Sequence, residues 1–312
     1  MIRQAITSLA KAFLPPSPPP PSRTTVLSTY FDTVRPPKPT AGIISDLWNN
    51  ASERNKLESH FQTLSSEPLV NEWIATDTIP IPSVEDREGY YDGRHLSYWF
   101  SGLSDYLEMK NQIKDLSRAK TILDFGGASG RVARHFINCH KNIQMLYVAD
   151  PNINHANFIN SHFSENALGI KISSLPYLPF EDSSIDFIYA YSVFTHIDAY
   201  EIMWLKELSR VLRPGGHIYI TVHDETTWKL LPNIDVYNAL KTDLTFAHLF
   251  NTSKDLPGER LVFNGAEGVN DFHCNVFYSS SYINSVWSKM FHIARILPQG
   301  HAFQTVVIMQ KK

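Results

Sequence analysis

The ten residues TILDFGGASG, positions 121–130, decide the fold of this chain. Their first half, Thr121–Phe125, is a short apolar run bounded by polar residues, which predicts a buried strand. Their second half, residues 126–130, is a glycine-rich turn, and residues 131–137 then have the apolar spacing of a helix. A strand, a tight turn and a helix in this order predict the first half of a parallel βαβ unit.

Strands and helices continue to alternate beyond this unit. Further strands are predicted at residues 145–149, 169–173, 185–191 and 217–222, with helices at 152–163 and 197–212. The chain ends with a predicted helix at 280–290 and two strands, 291–297 and 302–309, which flank a turn at Gln299-Gly300 and are close enough to pair. This alternation predicts an α/β fold with a mostly parallel, doubly wound sheet of seven strands.

Three regions are predicted along the chain. Residues 1–40 form a flexible proline-rich leader, in which PPSPPPP indicates a polyproline II spacer; a docking helix at the N-terminus is the alternative. Residues 41–118 carry apolar side chains at helical spacing and are predicted to form a helical N-terminal cap. Residues 119–312 form the α/β domain, with an insertion at 224–271 over the sheet edge.

Composition excludes several classes of partner. The 312 residues carry a formal charge of −3, which gives no reason to expect binding to nucleic acid. No apolar run reaches the roughly 18 residues of a membrane span. The two cysteines, Cys139 and Cys274, form no CxxC pair, so we expect neither a metal site nor a disulfide, and a cytoplasmic location.

A nucleoside-cofactor site is predicted at the carboxyl ends of the strands. In a doubly wound sheet ligands bind where the strand order reverses, here between the first and fourth strands. Gly126, Gly127 and Gly130 let the backbone approach a ligand closely. Asp150 ends the second strand, and its carboxylate can accept hydrogen bonds from both ribose hydroxyls. Alone, each feature has an ordinary alternative, a tight turn or a helix cap; together they predict a site.

The spacing of the glycines separates two cofactor classes. The dinucleotide fingerprint G-x-G-x-x-G does not match DFGGASGR in any register, which argues against a nicotinamide-dependent oxidoreductase. The turn resembles instead the D/E-x-G-x-G-x-G motif of class I S-adenosylmethionine-dependent methyltransferases, with Asp124, Gly126 and Gly130 in register. Ala128 replaces the middle glycine of that motif, from which we expect a slightly displaced loop rather than lost binding.

The resemblance extends over residues 121–311. The stretches LPFEDSSIDFIYAYSVFTHI, LKELSRVLRPGGHIYITVH and the terminal FQTVVIMQKK are similar to later segments of the same family. It implies a Rossmann-like fold with an antiparallel terminal strand and S-adenosyl-L-methionine as the cofactor. The segments SVFTH and RVLRPGG are also similar to methyltransferases of glycan or secondary-metabolite pathways, which implies a small-molecule or glycan acceptor. We expect oxygen as the methylated atom, with nitrogen as the alternative.

The resemblance also implies which residues surround the cofactor. The methionine and ribose parts would face the loop formed by Gly126, Gly127, Ala128, Ser129 and Gly130. Asp124 would organise this loop and the methionine amino group, and Asp150 would bind the ribose. The adenine would be surrounded by Pro151, Asn152, Ser174 and Leu175, and the reactive methyl would lie beside Tyr191 and Ser192. The acidic residue that the family often has after the third strand is missing, so backbone groups would replace it.

An oxygen or nitrogen acceptor usually needs a base to remove its proton. His196, after the fourth strand, and His223 beside Asp224, after the fifth, are the candidate catalytic bases, and both are expected to open toward one crevice. Their alternatives are a loop-fixing role for His196 and a supporting or solvated role for His223. His273 is a weaker candidate.

Substrate contacts are predicted in the N-terminal cap. Tyr91 and Arg94, with Tyr90, are candidates for a lid over the substrate; ordinary packing of the tyrosines is the alternative. The alternative function is a non-catalytic protein that binds S-adenosylmethionine in a regulatory or structural role, which Ala128 and the missing acid favour. The sequence leaves the oligomeric state open.

Overall fold

The computed structural model describes residues 38–264 and 274–312. Most of the predicted leader, residues 1–37, and the candidate His273 lie outside the described residues. The predicted helical N-terminal cap is confirmed. Its helices are α1 (Ile44–Asn49), α2 (Ala51–Arg54), α3 (Gln62–Ser65), α4 (Pro68–Thr76) and α5 (His95–Gln112), with 3-10 turns at Ser59–Phe61, Glu85–Arg87 and Leu116–Arg118.

The first part of the cap consists of short helices. Asn50 ends α1 in an extended conformation, and its side chain accepts a hydrogen bond from the amide of Ser52 in the first turn of α2. An asparagine at this position competes with the helix by capping the next one. The cap is therefore a series of short helices followed by one long helix, α5.

Nine strands are described, seven of them in one sheet. They are β1 (Thr121–Phe125), β2 (Met145–Asp150), β3 (Ala167–Lys171), β4 (Ile185–Ala190), β5 (Leu212–Val222), β6 (Arg260–Asn264), β7 (Cys274–Tyr278), β8 (Phe291–His301) and β9 (Gln304–Lys311). The strand order is β3-β2-β1-β4-β5-β9-β8, with β1 to β5 parallel and β9 antiparallel to both neighbours. The predicted doubly wound sheet is confirmed, and its order reverses between β1 and β4.

Both faces of the sheet are covered. The helices of the α/β domain are α6 (Ala133–Cys139), α7 (Ile153–His162), α8 (Glu201–Val211), α9 (Glu225–Leu230), α10 (Asp235–Leu240), α11 (Leu244–Thr252) and α12 (Ser280–Val286). On one face Leu103 of α5 and Phe136 of α6 share a core with Tyr189 of β4. On the other, Leu208 of α8 shares a core with Ile188. Neighbouring residues of β4 thus point to opposite faces, as the strand period requires.

Two element boundaries differ from the prediction. Strand β5 begins at Leu212 rather than at His217. Residues 213–216, which have the sequence RPGG, form an irregularity within the strand: Ile185 pairs with Leu212, but Phe187 pairs with His217. Helix α8 begins only at Glu201, after Tyr200 in a left-handed conformation (φ +65°). The chain between β4 and α8 is therefore a loop at the carboxyl edge of the sheet.

The described part of the predicted insertion is folded. Helices α9, α10 and α11 pack with Phe263 and Phe277 around the buried Trp228. Strand β6 pairs with β7 in a separate two-stranded antiparallel sheet. We did not predict β7, because its five residues lie outside the alternating pattern and its partner β6 lies in an irregular stretch.

Residues 38–264 and 274–312 were also searched for membrane-spanning helices and for metal sites. None of the helices there is long and apolar enough to cross a membrane. No group of three or more His, Cys, Asp or Glu side chains there is arranged to hold a metal ion.

Candidate functional site

The carboxyl edge of the sheet brings distant segments together. The loop at residues 126–130 follows β1, Asp150 ends β2, Ser192 follows β4 and His223 follows β5. Because β9 runs antiparallel to β5, with Val222 paired to Thr305, the turn between β8 and β9 lies at the same edge. This is the edge at which doubly wound sheets bind ligands.

The glycine-rich loop is shaped by its own surroundings. Gly126 has φ +76°, and a Cβ there would lie 2.3 Å from Cγ2 of Val193. A Cβ on Gly127 would lie 2.4 Å from Cγ of Asp124. The sequence interpretation, in which the glycines make room for a ligand, is therefore incomplete, because the protein's own atoms already require them. Ala128 adopts φ +46°, a left-handed conformation that favours glycine.

Asp124 lies buried beneath this loop. Its Oδ2 accepts a hydrogen bond of 2.8 Å from the hydroxyl of Tyr189. Burial raises the pKa of Asp124 to about 7, against the lowering effects of the Tyr189 hydrogen bond and the charge of Arg131. The Asp124 carboxyl therefore lies directly against Gly127 of the loop, and its role toward the methionine amino group stays a prediction.

Asp150 joins the end of β2 to the glycine-rich loop. Its Oδ2 accepts a hydrogen bond of 2.9 Å from the amide of Ala128, and its Oδ1 accepts from the amide of Asn152 at 2.8 Å. Nδ1 of His155 lies 3.0 Å from the same Oδ1. The carboxylate is 6% exposed. It therefore fixes the position of the loop in addition to any role toward a ligand.

His155 connects Asp150 to the N-terminal cap. Its Nε2 lies 3.6 Å from Oε1 of Glu88. Burial lowers the pKa of His155, but the hydrogen bond and charge of Asp150, with the charge of Glu88, outweigh burial and hold it above its ordinary value. The imidazole of His155, placed between two carboxylates, thus connects the segment after α4 to the end of β2.

The four residues predicted around the adenine lie at the ends of β2 and β3. Pro151 and Asn152 are half-buried, whereas Ser174 and Leu175 are exposed. The Asn152 side chain caps α7 by accepting a hydrogen bond of 3.0 Å from the amide of Asn154. The structure therefore gives Asn152 a structural role, and leaves Ser174 and Leu175 accessible beside it.

Ser192 lies at the end of β4 in a polar network. Its amide donates to Oγ1 of Thr221 at 2.7 Å. Nε2 of Gln304, on β9, donates to Oγ of Ser192 at 2.9 Å and lies 3.4 Å from Nε2 of His223. The sequence analysis missed Gln304, which links the ends of β4, β5 and β9.

His223 does not suit the predicted role of a general base. Burial, with the charge of His196, lowers its pKa to about 3. Its ring packs between Phe277 and Phe303, and its buried Nδ1 has no hydrogen-bond partner within the described residues. Its neighbour Asp224 is engaged as the N-cap of α9. A neutral, enclosed imidazole of such low basicity is a poor proton acceptor.

His196 has a more suitable arrangement. Its Nδ1 lies 2.8 Å from the carbonyl oxygen of Cys274, so Nδ1 carries the proton and Nε2 is left as an acceptor. Burial lowers its pKa, while the charge of Glu88 raises it. His196 lies in the loop before α8 rather than at a helix start, and this loop borders the same edge of the sheet.

A cluster missed by the sequence analysis surrounds Tyr191. Asp105 of α5 makes an ion pair of 2.6 Å with Arg131, and its Oδ1 lies 3.0 Å from Nδ1 of His301. The hydroxyl of Tyr191 donates to the carbonyl oxygen of Asp105 at 3.3 Å, and its ring centroid lies 4.8 Å from that of His301. Burial raises the pKa of Asp105, but Arg131 and His301 outweigh burial and hold it below its usual value.

Only one of the two predicted substrate residues joins this cluster. Tyr91 is half-buried in a left-handed conformation (φ +62°) near Arg131. Burial lowers the pKa of Arg131, but the charge of Asp105 outweighs it and raises this pKa, with a smaller contribution from Tyr91. Arg94 instead forms an ion pair with Glu58 in the cap. The prediction that Arg94 binds substrate is therefore not supported, because its guanidinium is already paired.

Comparison with known proteins agrees with this site. Residues 123–220 match the family model described as a methyltransferase domain. This confirms the predicted resemblance to methyltransferases in this part of the chain. Among curated proteins no match to this chain is found.

Several solved structures are similar to the chain. One is an S-adenosylmethionine-dependent methyltransferase from Methanosarcina mazei: identity 18%, TM-score 0.45, coverage 65% of this chain and 96% of the other. Another is the 1,6-didemethyltoxoflavin-N1-methyltransferase of Burkholderia thailandensis with bound S-adenosylhomocysteine: identity 11%, TM-score 0.47, coverage 82% and 91%. A third, from Aquifex aeolicus, is a methyltransferase with identity 15%, TM-score 0.41 and coverage 62% and 82%.

Proposed function

We propose that this chain, through its methyltransferase domain, transfers a methyl group from S-adenosylmethionine to an oxygen, or as the second choice a nitrogen, of a small molecule or glycan. One observation carries the proposal: Asp150 at the end of β2 is hydrogen-bonded to the amide of Ala128 in the glycine-rich loop. A carboxylate and a tight loop held together at the switch point form a cradle for a nucleoside.

The residues at this edge fit the cofactor. The loop at residues 126–130, supported by Asp124, would hold the methionine part; the carboxylate of Asp150 would accept hydrogen bonds from the ribose; the exposed Ser174 and Leu175 would border the adenine. When bound, S-adenosylmethionine supplies a methyl group on a sulfonium, already activated for displacement. The protein then has to position the acceptor and exclude water.

The cluster around Tyr191 is where we place the acceptor. Asp105 holds Nδ1 of His301, so Nε2 of His301 is available as a proton acceptor, in the same way as Nε2 of His196. A base whose other nitrogen is fixed by a hydrogen bond is the arrangement that proton removal from an acceptor requires. Tyr91, from the cap, would cover this space.

The proposal also covers the domain organisation of the chain and its cellular location. We propose that residues 119–312 form the catalytic domain and residues 41–118 cover its site, which the contacts of Glu88 with His155 and of Asp105 with Arg131 support. A cytoplasmic location is supported by the two cysteines, Cys139 and Cys274, which are both free thiols.

Binding tests the cofactor assignment. We expect isothermal titration calorimetry to show one site for S-adenosylmethionine and none for NAD. Asp150→Ala should weaken binding by roughly 1.5–3 kcal/mol, the range for hydrogen bonds to a charged group. Asp115→Ala is the matched control, since Asp115 precedes β1 at the opposite edge of the sheet and is largely exposed. Unchanged affinity in a folded Asp150→Ala protein would remove Asp150 from the site.

Turnover separates the enzyme from a protein that only binds the cofactor. A coupled assay for S-adenosylhomocysteine release should detect turnover with hydroxyl-bearing small molecules or sugars among a panel of candidate acceptors. His301→Gln should reduce that rate, and His292→Gln, an exposed histidine at the far end of the same strand, should not. Cofactor binding without release for any hydroxyl or amine acceptor would favour the regulatory alternative.

A further inference from the structure

Arg87 is a buried charge with incomplete hydrogen bonding. It ends the 3-10 turn Glu85–Arg87 between α4 and α5, and it is 1% exposed. Its Nη2 contacts the carbonyl oxygen of Asp92 and, at 3.0 Å, Nδ1 of His95. Its Nε and Nη1 are buried, and neither has a hydrogen-bond partner within residues 38–264 and 274–312.

No carboxylate in the described part of the chain forms an ion pair with Arg87. The nearby Asp92 carboxylate is 82% exposed and lies 3.7 Å from Arg94 instead. The other two arginines buried near the site are both paired, Arg131 with Asp105 and Arg134 with Asp77. A buried guanidinium stays charged, and leaving it unpaired is costly. Each such group in a native protein needs an explanation, and one explanation is an ion or ligand that the described residues do not include.

The position of Arg87 indicates where that partner lies. Its guanidinium carbon is 4.9 Å from the ring centroid of Tyr98, and the hydroxyl of Tyr98 is 3.5 Å from Oγ of Ser129. Ser129 belongs to the glycine-rich loop. One tyrosine ring therefore separates the unpaired N–H groups of Arg87 from the loop that we assign to the methionine part of the cofactor.

We infer that Arg87 binds the carboxylate of the methionine part of S-adenosylmethionine. This inference rests on the proposed function. A carboxylate accepts two parallel N–H bonds from a guanidinium, and such charge-assisted pairs are both strong and directional. The cofactor site is then completed by a residue of the N-terminal cap, which lies outside the segment that matches the family model.

The test compares two ligands that differ only in the carboxylate. S-adenosylhomocysteine and S-adenosyl-3-thiopropylamine, which lacks that group, are titrated by calorimetry into the full-length protein and into Arg87→Gln. The wild-type protein should bind S-adenosylhomocysteine roughly 10- to 100-fold more tightly, as expected for hydrogen bonds between charged groups. Arg87→Gln should lose most of this preference by weakening only the binding of S-adenosylhomocysteine.

Two further variants serve as a control and as a conservative replacement of Arg87. Arg118→Gln, an exposed arginine at the opposite edge of the sheet, should keep the wild-type preference. Arg87→Lys keeps the charge without the planar fork, so it should retain part of the preference, and it replaces Arg87→Gln if that variant does not fold.

Each contrary outcome has a separate meaning. Equal binding of both ligands by the wild-type protein, or an unchanged preference in Arg87→Gln, overturns the inference and leaves the cofactor assignment standing; the partner of Arg87 is then a different anion, such as an acceptor carboxylate. A folded wild-type protein that binds neither ligand overturns the proposed function and this inference with it.

Discussion

Ala128 is the residue at which the glycine-rich loop departs from the motif it resembles. Its φ of +46° places it in the left-handed region, which costs a residue with a Cβ roughly 1–2 kcal/mol. Its amide is nevertheless held by Asp150, so the loop keeps its position at the expense of backbone strain. Ala128 is therefore accommodated with an unfavourable dihedral angle, and the displacement of the loop stays a prediction.

Replacing Ala128 with glycine should relieve this strain. Because glycine also increases the entropy of the unfolded chain, we expect Ala128→Gly to raise the free energy of unfolding by only roughly 0.5–1 kcal/mol. Urea denaturation measures the change. Ala133→Gly, in the regular helix α6, should lower stability instead. A destabilised Ala128→Gly protein would show that Ala128 is not strained.

His155 should make stability depend on pH. Its pKa is raised in the folded protein, so its contribution is fully present below the unfolded value near 6.5 and is lost as the pH rises through the folded pKa. The difference in unfolding free energy between wild type and His155→Gln should therefore be larger at about pH 6 than at about pH 9.

The control for this pH dependence is an exposed histidine. His248 lies exposed on α11, so His248→Gln should change the free energy of unfolding equally at both pH values. A difference between wild type and His155→Gln that stays constant with pH would mean that no imidazolium bridges Asp150 and Glu88.

Among the secondary-structure elements, a buried ion pair connects the N-terminal cap to the α/β domain. Arg134 of α6 contacts Asp77, which follows α4, at 2.9 Å, and both side chains are almost fully buried. Trp99 of α5 donates from Nε1 to the same carboxylate at 2.7 Å. Three helices, α4, α5 and α6, therefore meet at the carboxylate of Asp77, which has both of these hydrogen-bond partners only when all three helices are packed together.

Removing this carboxylate should be strongly destabilising. Asp77→Ala leaves Arg134 buried without its partner, and we expect a loss of about 3–5 kcal/mol in the free energy of unfolding. The comparison is Asp115→Ala, which breaks an exposed pair with Arg118 and should cost no more than about 1 kcal/mol. Similar losses for the two variants, measured by urea denaturation, would contradict the structural role of Asp77.

The elements that could be predicted are those with a local pattern. Strands β1, β2, β4 and β9 are compact apolar runs, and their type and order followed from the sequence. Strand β7 was missed because its partner β6 lies in an irregular stretch, and β5 was shortened because Pro214 and Gly215 look like a stop. In the structure those two residues form an irregularity at the start of a long strand.

For the site, too, only the residues that belong to a local sequence pattern could be predicted. Asp124, Asp150 and the loop after β1 have a fixed spacing within one βαβ unit, so sequence alone brings them together. Arg87, Asp105 and His301 meet this unit from the cap and from the turn between β8 and β9. A local sequence pattern cannot predict these contacts, because they depend on how elements that are distant in the sequence pack together.

At the scale of the whole molecule, the cap and the sheet share one core. Trp99 and Met109 of α5 lie in the same buried cluster as Ile122 of β1 and Tyr219 of β5. The site is built from both parts, since Glu88 comes from the cap and Asp150 from the sheet. The described residues should therefore unfold together.

A ligand at this site should stabilise the whole unit. At a hundredfold excess over its Kd, S-adenosylhomocysteine should add about 2.7 kcal/mol and raise a single thermal transition by roughly 4–8 °C. Differential scanning calorimetry measures the shift, with NAD as the control that leaves the transition unchanged. Two separate transitions, of which the ligand moves only one, would show that the cap is not part of the site.

The central claim is that the carboxyl edge of the sheet, between the glycine-rich loop and Asp150, holds an adenosyl cofactor. A crystal structure of the full chain with S-adenosylhomocysteine tests it most directly. The predicted result is a ligand whose ribose hydroxyls lie within hydrogen-bond distance of Asp150 and whose amino-acid part lies against residues 126–130. The same sheet with this edge empty at saturating ligand, or with the ligand bound elsewhere, would contradict it.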